Sequence, residues 1–385
     1  MIKKTKYNMF IIPLLLAFRM LGLFMLLPVF SIFSNDYMYS NYILTGIALG
    51  MYGFSQSIFI IPFGYLSDKY GRKKLITIGF ILFAFGSFIG YVSSSIYGII
   101  LARFLQGSAA ISSVLLALAS DLSSEDDRTK NMALIGISIG ASFLLAIILG
   151  PFISYNFGMD KIFLFSFYSS LLGIYILNNF LSYKESINKS VSLEKKSKYL
   201  FSKSLFTLYL CVFIIHANLT TIFLWLPKLL IQTNDFFFQS IKFYLPVLLI
   251  SLLLLLPILI FLGNKIEKIY VIFFGMFLLL ISNVYILLFN SSYIYIFIGM
   301  VVFFISFNLL ESLLPSLIAK ISNKNTKGTT LGIFSCFQFM GIFFGGSFGG
   351  IINYMFSFCT VMYFCISIII VWFIINIMNI KKINL

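Results

Sequence analysis

The stretch that decides the fold is Gly64-Tyr-Leu-Ser-Asp68-Lys-Tyr-Gly71-Arg72-Lys-Lys74, which places five charges and two glycines between two long apolar segments. Glycine lets backbones approach closely or adopt positive φ, and an Asp four residues before an Arg can hold an ion pair at a membrane surface. The pattern predicts a tight charged turn between two membrane helices, in a part of the molecule that must lock and release.

Composition places the whole chain in a membrane. Of 385 residues, 60% are hydrophobic and only 10% are charged, whereas soluble domains are about 45–50% apolar. The net charge of +15 does not predict a nucleic-acid partner, because in such a chain basic residues are first explained by the loops that they orient. The cysteines lie in apolar runs without metal-ligand spacing, which predicts neither a disulfide framework nor a metal site.

Twelve apolar runs are long enough to cross a hydrocarbon layer, which takes about 20 residues. They predict an all-α polytopic membrane protein in two pseudo-symmetric six-helix halves, residues 1–183 and 205–385, with a lysine-rich cytoplasmic linker at 184–204. The runs are 8–33, 42–66, 75–94, 96–120, 131–155, 161–182, 205–232, 242–263, 269–289, 293–318, 328–353 and 356–379.

The basic residues indicate the orientation of the chain. Most of the 27 Lys and Arg residues lie in alternate loops, whereas the other loops hold only Lys161, Lys228 and Lys242. Because positively charged loops stay in the cytoplasm, both termini are predicted to be cytoplasmic. The charged turn at 64–74 is then on the cytoplasmic side.

Four ionisable residues lie well inside the predicted helices: Arg19, Arg103, Glu311 and His216, which is the sole histidine. Burying such a group in a membrane costs about 2.5–3.5 kcal/mol or more, so each should face the bundle interior and find a partner. They fall in predicted helices 1, 4, 7 and 10. This spacing is expected if four equivalent helices line a central cavity.

Glu311 and His216 are the candidates for proton coupling. With about 1.5 Å of rise per residue, they lie about 8 Å and about 4 Å to the cytoplasmic side of the membrane midplane, where they can meet. A buried carboxyl beside an imidazole can bind a proton and change the charge of the cavity. The alternative is a structural hydrogen bond that does not titrate.

Arg19 and Arg103 are the candidates for the cavity and its substrate. Arg103 heads a short segment in which Gln106 and Gly107 lie one turn further on the same face, where glycine lets a neighbouring helix come close. The guanidinium could bind an anionic substrate, hold a backbone carbonyl or act on a nearby acid. A purely structural anchor is the alternative, and Lys would not offer the same bidentate geometry.

Helix 5 contains Gly136, Gly140 and Gly150-Pro151. Glycines one turn apart permit close helix packing and proline can bend a helix, which is typical of a face that moves against the other half. Packing alone would explain the same residues.

These features together resemble the major facilitator superfamily over essentially the whole chain. Arg103, Gln106 and Gly107 match the helix 4 motif of proton-coupled members, and Gly150-Pro151 match the end of the antiporter motif, in which Ala146 replaces a glycine. The charged turn matches the family's loop motif at Gly64, Leu66, Asp68, Lys69, Gly71, Arg72 and Lys73.

The segments that begin at Arg19, at Ser120-Asp121 and at Asn308 resemble the bacterial YajR-type branch of that superfamily. The resemblance implies a twelve-helix fold, alternating access and proton coupling. It also implies a cytoplasmic cluster of Asp68, Arg72 and Asp121, which would stabilise the outward-facing state.

The expected function is proton-coupled secondary transport that exports a small molecule by antiport, with a proton gradient as the energy source and no cofactor. The chain is not expected to be an enzyme, since it contains no phosphate loop, metal cluster or nucleophile motif. Its partners would be the substrate, protons and membrane lipids, and we expect a monomer in the bacterial cytoplasmic (inner) membrane. Proton-independent uptake, symport, or a receptor that does not transport are the alternatives.

Overall fold

A computed structural model describes residues 2–122, 128–181, 200–230, 236–262, 267–290, 292–322 and 327–377. Most of the predicted linker at 184–204 lies outside these ranges. The described residues form helices α1 Ile2–Phe24, α2 Phe30–Phe33, α3 Tyr42–Tyr70, α4 Arg72–Val92, α5 Ile96–Ser108, α6 Ile111–Leu122, α7 Arg128–Phe157, α8 Asp160–Phe180, α9 Lys203–Leu229, α10 Phe236–Leu262, α11 Lys268–Leu288, α12 Tyr293–Ile321, α13 Lys327–Met355 and α14 Phe358–Ile377.

The predicted all-α membrane fold is confirmed. Within the described ranges, eleven helical segments are long and apolar enough to cross a membrane, and the apolar part of α1, Phe10–Phe24, is a shorter twelfth. Polar side chains mark where several helices begin: Asn41 accepts from the Leu44 amide at 2.8 Å, and Ser95 and Ser202 cap α5 and α9 in the same way. Such caps satisfy amides that have no partner within the helix.

The first predicted helix, 8–33, is not continuous. Helix α1 ends at Phe24, turns follow, and α2 begins at Phe30. Pro28 explains the break, because it has no N–H to bond the Phe24 carbonyl and disfavours a helical residue before it. The fourth predicted helix, 96–120, is also divided. Ala109 has φ −71° and ψ 60°, the geometry of an inverse γ-turn, and separates α5 from α6.

The tight charged turn that the sequence predicted at 64–74 is reduced to one residue. Helix α3 continues through Asp68 to Tyr70 and α4 begins at Arg72, so Gly71 is the single residue between them. Gly71 has φ 101° and ψ 142°, a conformation that is essentially limited to glycine. The five charges therefore lie on helix ends.

Helices α3 and α13 form the main contact between the first six spans and the last six. A Cβ at Gly50 would lie 2.9 Å from the Phe343 carbonyl oxygen, and one at Gly350 would lie 3.0 Å from Gly46 Cα. Gly53 also lies against the Phe339 carbonyl. Glycine allows this approach because a side chain would overlap with backbone atoms of the other helix.

The same two helices separate toward the end that carries the charged stretch. Residues 46, 50, 53, 57, 61 and 64 share one face of α3, since they are three or four positions apart. A Cβ at Gly332 would reach only Ile61 Cγ1, at 3.9 Å, and Cβ atoms at Gly64 or Gly328 would have no neighbour within 4 Å. The interface thus tapers: it is tight at one end and open at the charged end.

Candidate functional site

Glu311, His216 and Gln338 form a polar cluster between three helices. Gln338 Nε2 on α13 donates to Glu311 Oε1 on α12 at 3.1 Å and lies 3.0 Å from His216 Nε2 on α9. His216 Nε2 is 3.8 Å from Glu311 Oε2. The structure therefore brings together the two residues expected to meet, and it adds Gln338, which the sequence analysis missed.

The backbone of α9 determines which imidazole nitrogen has the hydrogen. His216 Nδ1 lies 3.1 Å from the Val212 carbonyl oxygen, which can only accept, so Nδ1 carries a hydrogen. Nε2 lies 3.0 Å from the Gln338 NH₂ nitrogen, which can only donate, so in this arrangement Nε2 is an acceptor and the ring is neutral. The Gln338 NH₂ group has two hydrogens, so it donates one to His216 and one to Glu311.

The members of the cluster differ in exposure. The Glu311 side chain is 35% exposed, whereas the His216 side chain is 7% exposed. The Phe307 ring packs against the imidazole with centroids 5.3 Å apart. Glu311 Oε2 is buried and has no hydrogen-bond partner among the described residues. This oxygen, beside an unprotonated imidazole nitrogen, is a place where a proton could be held.

A second polar cluster surrounds Tyr52 of α3. The Arg103 guanidinium lies 4.7 Å from the centre of the Tyr52 ring, and that of Arg19 lies 5.7 Å from it. Both arginines are 1% exposed and Tyr52 is fully buried. Neither guanidinium is accessible to a solute in this conformation, which corrects the expectation that these residues line an open cavity.

Hydrogen bonds within the first six spans hold both arginines. Arg19 donates to Gln56 Oε1, and Gln56 Nε2 donates to Ser112 at 3.2 Å. Arg103 Nη1 donates to Gln106 Oε1 at 2.9 Å, and Gln106 Nε2 donates to Ser87 at 2.9 Å. Both polar atoms of the Gln106 amide therefore bond other side chains of the first six spans, and its oxygen orients Arg103.

The four ionisable residues inside the helices do not converge on one centre. Arg19 and Arg103 surround Tyr52, whereas Glu311 and His216 share Gln338. The two clusters approach each other at the interface between α3 and α13, because the Tyr52 ring lies 6.3 Å from that of Phe339, the residue after Gln338. Phe339 is 7% exposed and packs in the core of the first six spans.

The charge cluster, Asp68, Arg72 and Asp121, is formed. Arg72 Nη1 lies 2.7 Å from Asp68 Oδ1, and Arg72 Nε donates to Asp121 Oδ2 at 2.9 Å. Arg72 Nη1 also donates to Ser67 Oγ at 2.8 Å. The cluster connects α3, α4 and α6, all within the first six spans, and it is intact while α3 and α13 are apart at that end.

Not every glycine expected to pack does so. A Cβ at Gly107 would overlap with the Tyr52 carbonyl, and one at Gly150 would overlap with the Met25 carbonyl that the break after α1 exposes. Gly136 and Gly140 on α7 have no atom within 4 Å of a Cβ position. They are not packing positions here, because this part of α7 packs on α1 through its other face, where Ser138 Oγ donates to the Pro13 carbonyl at 2.6 Å. Pro151 lies within α7, which continues to Phe157.

Gln338 escaped the sequence analysis because an uncharged amide among phenylalanines and glycines gives no charge signal. It is the only glutamine in the predicted run 328–353, and that was the available clue. No group of three or more His, Cys, Asp or Glu side chains in the described ranges is arranged to hold a metal ion.

Residues 14–252 and 208–382 of the chain match the Major Facilitator Superfamily. An uncharacterized transporter of Buchnera aphidicola subsp. Baizongia pistaciae is 39% identical over 391 residues, which cover 98% of this chain and 98% of that protein. The inner membrane transport protein YajR of Escherichia coli K12 is 38% identical over 349 residues, covering 89% of this chain and 76% of YajR.

Solved structures share the fold at low identity. The nucleoside transporter NupG superposes with a TM-score of 0.77 at 13% identity, over 96% of this chain and 99% of that one. The human organic anion transporter MFSD10 gives a TM-score of 0.71 at 16% identity, over 96% and 99%. With these relatives and its twelve apolar spans, the chain belongs to the Major Facilitator Superfamily, in the branch that contains YajR, and is a membrane transporter rather than an enzyme.

Proposed function

We propose that the chain is a proton-coupled antiporter that exports a small molecule by alternating access. The observation that carries the proposal is the contact of Glu311 with Gln338 and His216. A carboxylate with one free oxygen, 3.8 Å from an imidazole nitrogen, can take up and release a proton. It is also the only acid in the apolar runs, so it is the one negative charge within them.

Alternating access is supported by the tapered interface. Helices α3 and α13 are in close contact around Gly46 and Gly350, and they are separated around Gly64 and Gly328. This is the geometry expected of a transporter whose cavity opens at the charged end, which the basic loops assign to the cytoplasm. The present conformation is then inward-facing.

The charge cluster acts within one half. Its bonds join α3, α4 and α6 and are intact although the charged end is open. The cluster is therefore not a contact between the halves that breaks when the cavity opens at that end. We assign it the role of fixing these helix ends as one rigid body, which closes against α13 as a unit and so favours the outward-facing state. Arg19 and Arg103 give the first half a buried positive field that acts on an anionic solute without contact.

The protein would work as a monomer in the bacterial inner membrane, with both termini in the cytoplasm and with its exposed aliphatic and aromatic surface in lipid. The proton gradient would supply the energy, and no cofactor would be needed. NupG transports nucleosides and MFSD10 organic anions by their names, but at their low identity they assign no substrate to this chain.

The test is transport by purified protein in proteoliposomes under an imposed pH gradient. Solutes are first selected by their ability to raise the melting temperature, since a ligand that binds only the folded state stabilises it. We expect a proton gradient to drive the selected solute in the direction opposite to proton flow. Glu311→Gln should abolish this movement but retain exchange of solute between the two sides.

Glu267→Gln is the matched control, because Glu267 is an exposed acid at the start of α11. Transport that ignores the gradient and survives Glu311→Gln would show proton-independent transport. Movement of solute in the same direction as protons would show symport. If introduced cysteines never alternate in accessibility between the two sides, the chain is a receptor and the proposal is wrong.

A further inference from the structure

Among the residues that the structure describes, Gln338 is the side chain that contacts both members of the Glu311–His216 pair through one atom. Its Nε2 nitrogen makes both contacts, at 3.1 Å and 3.0 Å. The two partners lie on α12 and α9, whereas Gln338 lies on α13. One NH₂ group therefore connects three helices of the last six spans.

The two bonds are strongest together in one protonation state. A neutral His216 with its hydrogen on Nδ1 accepts at Nε2, and an ionised Glu311 accepts at Oε1. If His216 Nε2 were protonated, it would become a donor facing the donor N–H of Gln338, and their hydrogen bond would be lost. The Gln338 amide would have to rotate and direct its oxygen to the ring. A proton on Glu311 would replace a hydrogen bond to a charged group by a weaker hydrogen bond between neutral groups.

The residues beside Gln338 contact the other half of the molecule. Cys336 Sγ donates to the Ser57 carbonyl of α3 at 3.2 Å, and the Phe339 carbonyl lies against Gly53 of the same helix. A displacement of α13 at Gln338 is therefore a displacement at its contact with α3.

Gln338 also lies where the close packing of α13 against α3 ends. Beyond it, Gly341 and Gly345 pack against the α9 carbonyls of Phe213 and Ala217 while Gly346 packs against α3, so α13 is held from two sides. Before it, Gly328 and Gly332 lie in the open part of the interface. The hydrogen bonds of Gln338 thus hold α13 against both α9 and α12 at the point where its contact with α3 opens, and nearer the open end Tyr209 Oη of α9 donates to the Thr330 carbonyl of α13 at 3.5 Å.

We infer that Gln338 is a positioning residue that converts the protonation state of the Glu311–His216 pair into a displacement of α13. In the proton-free state its amide holds α13 against α9 and α12, which leaves the charged end open. Proton uptake weakens the bond to Glu311 or removes the bond to His216, and so lets that end of α13 move onto α3. This inference rests on the proposed function, since it requires that the pair takes up a proton.

The groups that surround the pair are few. Helix α12 provides Glu311, and α9 provides His216 and the buried Cys211 thiol, which lies within electrostatic range of Glu311. Helix α13 provides the uncharged Gln338, and its Cys336 is directed to Ser57. Among the described contacts, the charge of the site is therefore set by Glu311 and His216.

The experiment measures protonation and displacement separately. Protonation of Glu311 is followed by its carboxyl C=O band in infrared difference spectra over pH, assigned by its loss in Glu311→Gln. Displacement is followed by electron–electron distance between spin labels on Tyr65→Cys and Gly328→Cys, both exposed at the open end. The four native cysteines are replaced by serine or alanine.

With Gln338 present, we expect the distance to shorten as pH falls, over the same range in which the carboxyl band appears. Gln338→Met keeps the length of the side chain but cannot hydrogen-bond in this way, and Gln338→Asn keeps an amide that is too short for both partners. In both variants the band should still titrate, while the change of distance with pH falls at least fivefold. Ser335→Ala, one turn earlier on α13, should behave like the parent.

A distance that follows pH as in the parent in either Gln338 variant would overturn the inference. The Glu311→Gln variant tests the proton role separately. If its label-to-label distance changes with pH as it does in the parent protein, the proton role of Glu311 is overturned. The two failures are therefore distinguishable. Folding of each variant is checked by its melting temperature.

Discussion

Arg72 Nε donates to Asp121 Oδ2 at 2.9 Å across 49 positions of sequence, and this bond connects α4 to α6. The Asp68, Arg72 and Asp121 side chains are 34%, 18% and 38% exposed, so each ion pair should contribute only about 0–1 kcal/mol to stability. A large effect on transport would then arise from the rigidity of the helix ends and not from loss of folding.

Arg72→Ala or Asp68→Asn should therefore lower the transport rate about tenfold or more, with near-normal insertion and a melting temperature within a few degrees of the parent. Rate is measured in proteoliposomes and insertion by the amount of protein in membranes. Lys74→Ala is the control, because it removes a charge from the same stretch without touching the cluster. Loss of the variant from the membrane would show that the cluster is required for folding.

Substitution of glycine in the tight part of the interface should disfavour the present conformation. A Cβ at Gly346 would lie 2.9 Å from Gly50 N and 2.6 Å from the Gly46 carbonyl oxygen, and overpacking of this kind costs about 1–3 kcal/mol. Gly346→Ala should lower the melting temperature and increase the accessibility of the end opposite the charged stretch, measured by alkylation of an introduced cysteine.

Gly136→Ala provides the contrast, since no atom lies within 4 Å of its Cβ position. Alanine is favoured over glycine in a helix by about 1 kcal/mol, so the melting temperature should stay the same or rise. A strong destabilisation by Gly136→Ala would mean that this face packs against another helix in a conformation that the protein also populates.

Lys228 and Tyr42 form a contact between the two halves at the tight end. Lys228 Nζ lies 3.7 Å from the centre of the Tyr42 ring, and such a cation–π contact at an exposed site contributes about 0.5–1 kcal/mol. Lys228→Gln should therefore shift the conformational equilibrium about two- to fivefold toward opening of that end. Spin-label distances between Met38→Cys and Phe356→Cys measure the shift.

Tyr42 allows the same contact to be tested from the other helix. Tyr42→Phe keeps the aromatic face and should leave the distances unchanged, whereas Tyr42→Leu should reproduce the effect of Lys228→Gln. Equal effects of the phenylalanine and leucine variants would assign the contact to the Tyr42 hydroxyl and contradict the prediction.

Arg103 should act on stability and not on direct binding of solute. It is 1% exposed, bonds Gln106 and lies over the Tyr52 ring, and a hydrogen bond to a charged group contributes about 1.5–3 kcal/mol. Arg103→Lys loses the planar geometry of the guanidinium, so the melting temperature should fall while the KM of the folded protein stays within about twofold. A KM several-fold higher with an unchanged melting temperature would assign Arg103 to the binding site.

Much of the architecture could be predicted because the hydrophobic runs are long and uniform. Their number, and the meeting of Glu311 with His216, followed from run length and helix rise. The break at Ala109 was not predicted although Gly107-Ser108 precede it, because glycine and serine are also common inside continuous membrane helices. The prediction that Gly136 is a packing position was wrong for a related reason. The spacing of glycines indicates where helices can approach each other, but not whether they do so in a given conformation.

The one-residue connection at Gly71 has a mechanical consequence. Helices α3 and α4 follow each other with no free chain between them, and neighbouring Cα atoms are only about 3.8 Å apart. When α3 rotates about its contact with α13, the start of α4 must therefore move with it. The bond between Arg72 and Asp121 extends this movement to α6. The first six spans have no joint at this corner, so the flexibility needed for switching must lie in the contacts between the halves.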